Sequence, residues 1–166
     1  MLFIADVDAI TIRIGQWLRE YRQEHNLTQI DLADRAGLLH DVEVSRLENG
    51  KVALTLPMLA KILLAINYTA KDFLALFKLI PDGLNEYALE SCQEIGQLIQ
   101  QERMDAGFSL RGLAPLVGLS HTSVRKLEGW HRQVRVSTLI AVDQALGLDG
   151  HLLLTALFTA MEVLKN

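Results

Sequence analysis

A chain of 166 residues is long enough for one ordinary domain or two small ones; half of it is apolar, with few aromatics and three prolines, which suits helices joined by short loops. The formal net charge of −4 excludes a generally basic coat for nucleic acid, so such a partner has to be met by a local patch. One cysteine, Cys92, excludes an internal disulfide and fits a reducing cytoplasm, and no apolar run reaches the roughly 18 residues of a membrane span.

The opening MLFIADVDAI has early acids and no basic region, so it does not read as a signal peptide; its near-alternating apolar pattern leaves an arm, a strand or an early start to the first helix open. Ile14, Leu18 and Tyr21 fall at i, i+4 and i+7, one face of a helix ending near His25-Asn26. Thr28 is the N-cap of a short second helix, Gln29 to Ala36, closed by Gly37, with Ala33 small where another helix crosses. Val44 and Leu47 anchor a third helix stopped by Asn49-Gly50. Pro57 suits the first turn of a fourth, with Leu59, Ile62, Leu63 and Ile66 inward, and Thr69 or Lys71 opens a fifth that ends before Pro81.

The same pattern then recurs. LTQIDLADRAGLL (27–39) lies over FSLRGLAPLVGLS (108–120), and IGQWLREYRQEHN (14–26) over IGQLIQQERMDAG (95–107), at an offset of 81. VSRLENGK (44–51) lies over VRKLEGWH (124–131) at an offset of 80, so the first copy holds one extra residue, placed near Leu39 because inside the third helix it would rotate Val44 and Leu47 apart. The apolar pattern of 56–77 matches that of 136–157 throughout, with Ser109 and Ser120 as the caps of the second copy. Such a repeat predicts an all-α protein of two tandem five-helix domains, residues 1–80 (with a short leader, 1–10) and 81–166, joined near Pro81-Asp82-Gly83 and without a sheet in either body.

Charge is divided unequally between the copies. From Ser109 to Val136 stand Arg111, Arg125, Lys126, Arg132 and Arg135 against Glu128 alone, whereas Thr28 to Leu56 holds Arg35, Arg46 and Lys51 against Asp31, Asp34, Asp41, Glu43 and Glu48. The second copy therefore carries the basic surface.

TQIDLADRAG followed by SRLENGK resembles the lambda-repressor-like (XRE family) helix-turn-helix domain, over roughly residues 12–77 and again over 93–158. The second copy departs where Leu110 replaces the motif's Gln and Gly129-Trp130 replaces Asn-Gly. The resemblance implies that helices two and three form the motif and that helix three enters the major groove of double-stranded DNA. It places contacts at Thr28, Gln29, Ser45, Arg46 and Lys51 in the first copy, with Asp41 and Val42 on the same face. In the second it places them at Ser109, His121, Thr122, Ser123, Arg125, Lys126 and Arg132. Thr28 and Ser109 are helix caps whether or not DNA binds. Asp41 and Glu43 are read either as acids favoured by a helix N-terminus or as acceptors from cytosine N4, and on both readings they repel phosphate. The family also pairs an Arg with a Glu across helices, which implies Arg22–Glu48 and Arg103–Glu128.

The five histidines and Cys92 have no metal-ligand spacing, and no phosphate loop, nucleophile elbow or carboxylate pair stands out, so neither cofactor nor enzymatic activity is expected. The leading expectation is a cytoplasmic, sequence-specific DNA-binding transcription regulator, repressor-like, with two helix-turn-helix units per chain. The alternative is an interaction module of the same fold, an antitoxin or corepressor, with one or both reading faces lost. Leu152, Leu153, Leu154, Leu157, Phe158, Met161 and Leu164 cover more than one face of the last helix, so a homodimer through residues 150–164 is expected, against packing of that helix on the first half of its own chain.

Overall fold

The computed structural model describes residues 4–81, 84, 95–130 and 133–166. Every regular element among them is helical: α1 (Ile4–Glu24), α2 (Gln29–Ala36), α3 (Asp41–Glu48), α4 (Leu56–Ala65), α5 (Ala70–Leu76), α6 (Ile95–Asp105), α7 (Leu110–Leu113), α8 (His121–Glu128), α9 (Val136–Ala145) and α10 (His151–Lys165). The junction expected at Pro81-Asp82-Gly83 falls, except for Pro81, outside the described residues, as do Cys92 and Arg132.

Helix boundaries follow local chemistry. Thr28 begins α2 through a reciprocal capping box: its hydroxyl accepts from Asp31 N at 3.0 Å while Asp31 Oδ2 accepts from Thr28 N at 2.7 Å. Gly37 ends the helix at φ 65°, where a Cβ is penalised. Thr55 and Thr69 cap α4 and α5 with the hydroxyl bond alone, accepting from Met58 N (3.4 Å) and Asp72 N (3.0 Å). Of the three forms left open for the leader, an early start to helix one is found, because α1 begins at Ile4.

The second copy departs in α7. The expectation of a whole second helix there is corrected: Leu110–Leu113 makes one α-helical turn and Ala114–Val117 tightens to a 3₁₀ turn. Pro115 is the physical reason, since it lacks an N–H and its ring crowds the carbonyl four residues earlier. The extra residue of the first copy lies in the turn as expected, because residues 37–40 separate α2 from α3 while 118–120 join the 3₁₀ turn to α8.

In each half the first helix crosses the end of the third at a shared Ile-Gly-Gln. A Cβ on Gly15 would collide with the Leu47 carbonyl, and one on Gly96 with the Glu128 carbonyl. Trp17 fixes α5 on α1, with ring centroids 5.5 Å from Phe73 and 5.8 Å from Phe77.

One contiguous apolar core runs through both halves. Leu152, Leu153, Leu154, Leu157 and Met161 of α10 are buried, and α10 packs on α4 and α5 as well as on α9. The apolar surface on which the homodimer expectation rested is thus covered within the chain, with Phe158, Val163 and Leu164 left exposed. Asp143 holds the start of α10 from α9, accepting from Gly150 N (2.8 Å), Leu152 N (2.9 Å) and Leu153 N (3.2 Å). Burial pushes its carboxyl up, and those amides with His151 only partly pull it back.

Among the described residues, strand pairing is confined to one bridge. Thr55 and Arg135 form an isolated antiparallel bridge, with Leu56 N donating to the Val134 carbonyl (2.8 Å) and Val136 N to the Leu54 carbonyl (2.9 Å). It joins the halves and extends into no sheet.

Two expectations follow. Gly15→Ala and Gly96→Ala each lower stability by about 1–3 kcal/mol, since carbonyl backbone rather than a movable side chain meets the new methyl; thermal unfolding with midpoints equal to the parent's would contradict the crossing. Sedimentation at micromolar concentration gives a monomer, and a stable dimer would show that the apolar remainder of α10 suffices for self-association.

Candidate nucleic-acid interface

The α2–turn–α3 unit is held to α1 by a buried ion pair. Glu48, at the end of α3, has its side chain fully enclosed and accepts from Arg22 Nε at 2.7 Å and Arg22 Nη2 at 3.1 Å. Arg22 Nη1 also donates to the Leu27 carbonyl at 2.9 Å, so one guanidinium ties α1, the start of α2 and the end of α3. Gln29 Nε2 donates to Glu48 at 3.0 Å, and Arg19 adds a longer contact at 3.5 Å while bonding Asn49 Oδ1 at 2.7 Å. Burial alone would raise the Glu48 carboxyl; the hydrogen bonds from Arg22, Gln29 and Arg19, with the charge of Arg22, outweigh it and hold the group below the usual carboxylate range.

The second copy repeats the pair with fewer supports. Arg103 donates through Nε and Nη2 to Glu128, and through Nη1 to the Phe108 carbonyl at 2.6 Å. Leu110 and Gln100 stand where Gln29 and Arg19 stand in the first copy, so the two additional donors have no equivalents. Both pairs expected from the resemblance are therefore present.

With its inner face clamped, α3 presents Asp41, Val42 and Arg46 to solvent, with Ser45 half-buried. Lys51 is exposed just beyond Gly50. Glu43 proves to be a capping residue: its Oε2 accepts from Leu39 N (3.1 Å) and His40 N (3.4 Å) at the start of the helix. Thr28 is exposed, but its hydroxyl donates to Asp31 Oδ2 at 2.7 Å. Hydrogen bonds from the Thr28 backbone and hydroxyl hold the Asp31 carboxyl below its ordinary value, so this end of α2 keeps a negative charge. Gln29 does not aim its amide nitrogen at solvent; it is committed to Glu48. A shallow groove lined by Arg22, Gln23, Asn26, Thr28, Gln29 and Asp41 runs along this N-terminus.

The α8 face differs in charge. His121, Thr122, Arg125 and Lys126 are exposed along it, and Ser123 is half-buried with its hydroxyl 2.9 Å from that of Ser120. Ser120 and Ser109 are the expected caps, accepting from Ser123 N (3.1 Å) and Gly112 N (2.9 Å). The one acid of α8, Glu128, is neutralised by Arg103. None of the ion pairs among the described residues engages Arg125 or Lys126. The structure thus gathers His121, Thr122, Arg125 and Lys126 on one open surface, while Arg46 is exposed on an α3 that also carries Asp41.

Sequence reasoning passed over two residues and named a third only as a departure from the motif. Arg19 could have been found, being three before Arg22 on the same face of α1. Asp143 gave a weaker signal, a carboxylate where the first copy has Leu63. Trp130 sits at φ 48°, in the left-handed position that Gly50 fills at φ 65°. Only coordinates show that this bulky residue retains the turn.

Residues 18–73, about a third of the chain, match the helix-turn-helix family model; the stretch contains α2, α3 and α4 whole. No curated protein and no solved structure matches the chain. Residues 18–73 are thus similar in sequence to a helix-turn-helix domain, and helices lie over the matched stretch.

Because the folded carboxyl of Glu48 lies below its ordinary value, its stabilising contribution is complete above about pH 4.5 and drains away as pH falls through the lower folded value. Glu48→Ala costs about 2–3 kcal/mol, leaving the half-buried Arg22 without its partner. Denaturant midpoints of the parent and Glu48→Gln, followed from about pH 6 to pH 3, show a smaller acid slope in the variant; identical slopes would remove Glu48 from the account.

Proposed function

We propose that the chain is a cytoplasmic, sequence-specific DNA-binding transcription regulator, repressor-like, built of two helix-turn-helix units, residues 1–80 and 81–166. The observation that carries this reading is the α8 surface, where Arg125 and Lys126 stand exposed beside His121 and Thr122 with the neighbouring acid already paired. Phosphate contacts set register and side chains at base edges select sequence. On this division, Arg125 holds phosphate and Lys126 reaches a base edge, whereas Arg46 works against the field of Asp41, Glu43 and Asp31. Lys51 and the caps Thr28 and Ser109 supply positioning, with the first unit anchoring and the second discriminating. The helix-turn-helix match over residues 18–73 supports the class of partner, double-stranded DNA.

A second reading is favoured by one observation. Gln29, the residue that the resemblance assigns to phosphate, gives its amide to Glu48. With Asp31 and Asp41 close by, the first unit has a face better suited to a cationic protein partner than to phosphate, as in an antitoxin or corepressor.

Operator binding by Arg46→Ala and Lys126→Ala, measured side by side across a salt series, separates these readings. Lys126→Ala loses about 1–3 kcal/mol and relaxes sequence preference, Arg125→Ala lowers the salt slope by about one, and Arg46→Ala loses less than Lys126→Ala. A larger loss at Arg46 reverses the assignment of roles. Unchanged binding in all three promotes the interaction-module reading.

A further inference from the structure

The bridge between the halves has a property that follows from the repeat. At the offset of 80 that holds from Val44 onward, Leu54, Thr55 and Leu56 correspond to Val134, Arg135 and Val136. Thr55 is thus paired antiparallel with its own counterpart. The flanking bonds are exchanged by the same operation, since Leu56 N to Val134 O becomes Val136 N to Leu54 O, and their lengths are 2.8 and 2.9 Å. A residue paired antiparallel with its counterpart lies on a local two-fold axis. The contact is isologous, the form by which two identical subunits make a symmetric dimer, but it is made here inside one chain.

Packing agrees with that axis. Leu54, Leu56, Val134 and Val136 are all buried beside it, and α5 and α10, which also correspond to each other, touch. The match is local rather than complete, because α10 has 15 residues against 7 in α5 and lies along α4 as well. That added apolar contact, and the single core shared by both halves, join them more firmly than the small polar contacts that let domains drift.

We infer that one chain does the work of a symmetric repressor dimer, and that its partner is a single duplex carrying two inverted half-sites of unlike sequence. This rests on the DNA-binding reading above. A protein two-fold is matched by an inverted repeat in the DNA, with half-site spacing set by the protein. The two heads are not identical, however. Corresponding positions on the outer faces pair Asp41 with His121, Val42 with Thr122, the half-buried Ser45 with Arg125, and Arg46 with Lys126. Only the last pair keeps its chemistry, a cation able to donate to guanine O6 and N7. The half-sites therefore share a guanine at the position met by Arg46 and Lys126 and differ at the positions met by Asp41 and His121 and by Val42 and Thr122, while Arg125 bears on phosphate. A perfect palindrome serves one head and mismatches the other.

The test uses the full chain and a selection from duplexes of random sequence, followed by the chain-to-duplex ratio from sedimentation of the complex. The expected result is one chain per duplex on inverted half-sites that share the guanine and are otherwise unlike. Inserting about five base pairs between the half-sites, half a helical turn, then weakens binding at least ten-fold, and palindromes made by duplicating either half bind more weakly than the selected site. Two chains on a palindrome, one protected half-site, or binding indifferent to the insertion overturns the inference and leaves the DNA-binding reading standing. Selection of no sequence at all removes that reading and the inference with it.

Discussion

Glu48 is the constraint on which the rest of the first half depends. A carboxylate enclosed by protein is tolerated only when its charge and lone pairs are met, and Arg22, Gln29 and Arg19 meet them from α1 and α2. Satisfying that one group brings three helices to a common point. It leaves α3 no freedom to rotate about its axis, so Val42 and Arg46 must face outward. The Gly15 crossing sets the distance of the same contact, since only a residue without Cβ lets α1 reach the Leu47 carbonyl. Arg103, Glu128 and Gly96 repeat the device around α8.

The two copies divide their strengths differently. The first has more donors on its buried glutamate and a whole second helix, yet its α3 carries Asp41, Glu43 and Glu48 along with Arg46, and Gln29 bonds inward to Glu48. The second has lost the Gln, breaks its second helix at Pro115 and forces Trp130 into a left-handed turn, yet it exposes Arg125 and Lys126 in a basic setting. Charge on the outer faces of α3 and α8 and the support beneath them are set by different residues. One can therefore weaken while the other is retained.

Much of this was legible in the chain itself. Caps at Thr28, Ser109 and Ser120, the stop at Gly37 and the extra residue near Leu39 follow from local chemistry, which acts over a few residues. The Arg–Glu pairs were reached through the family resemblance and through the retention of both partners in both copies. Other features depend on contacts distant in sequence. Whether α10 covers another chain or its own first half cannot be read from its apolar faces, because either partner satisfies the same hydrophobic pattern. The commitment of Gln29 to Glu48 is likewise a choice among partners within reach. The break in α7 was readable from Pro115, whose missing N–H forbids an ordinary α-helical continuation.

The bridge at Thr55 and Arg135, with the shared core, joins the halves that carry the clamped helices α3 and α8. This is most directly tested by the distance between their outer faces. Spin labels placed at exposed positions 42 and 122, as Val42→Cys and Thr122→Cys in a Cys92→Ser background, report it by pulsed electron resonance. The account predicts one narrow distance distribution for the free chain, unchanged in the presence of the selected duplex. A broad or multiple distribution, or a narrow one that appears only on DNA, would contradict a joint set by the fold.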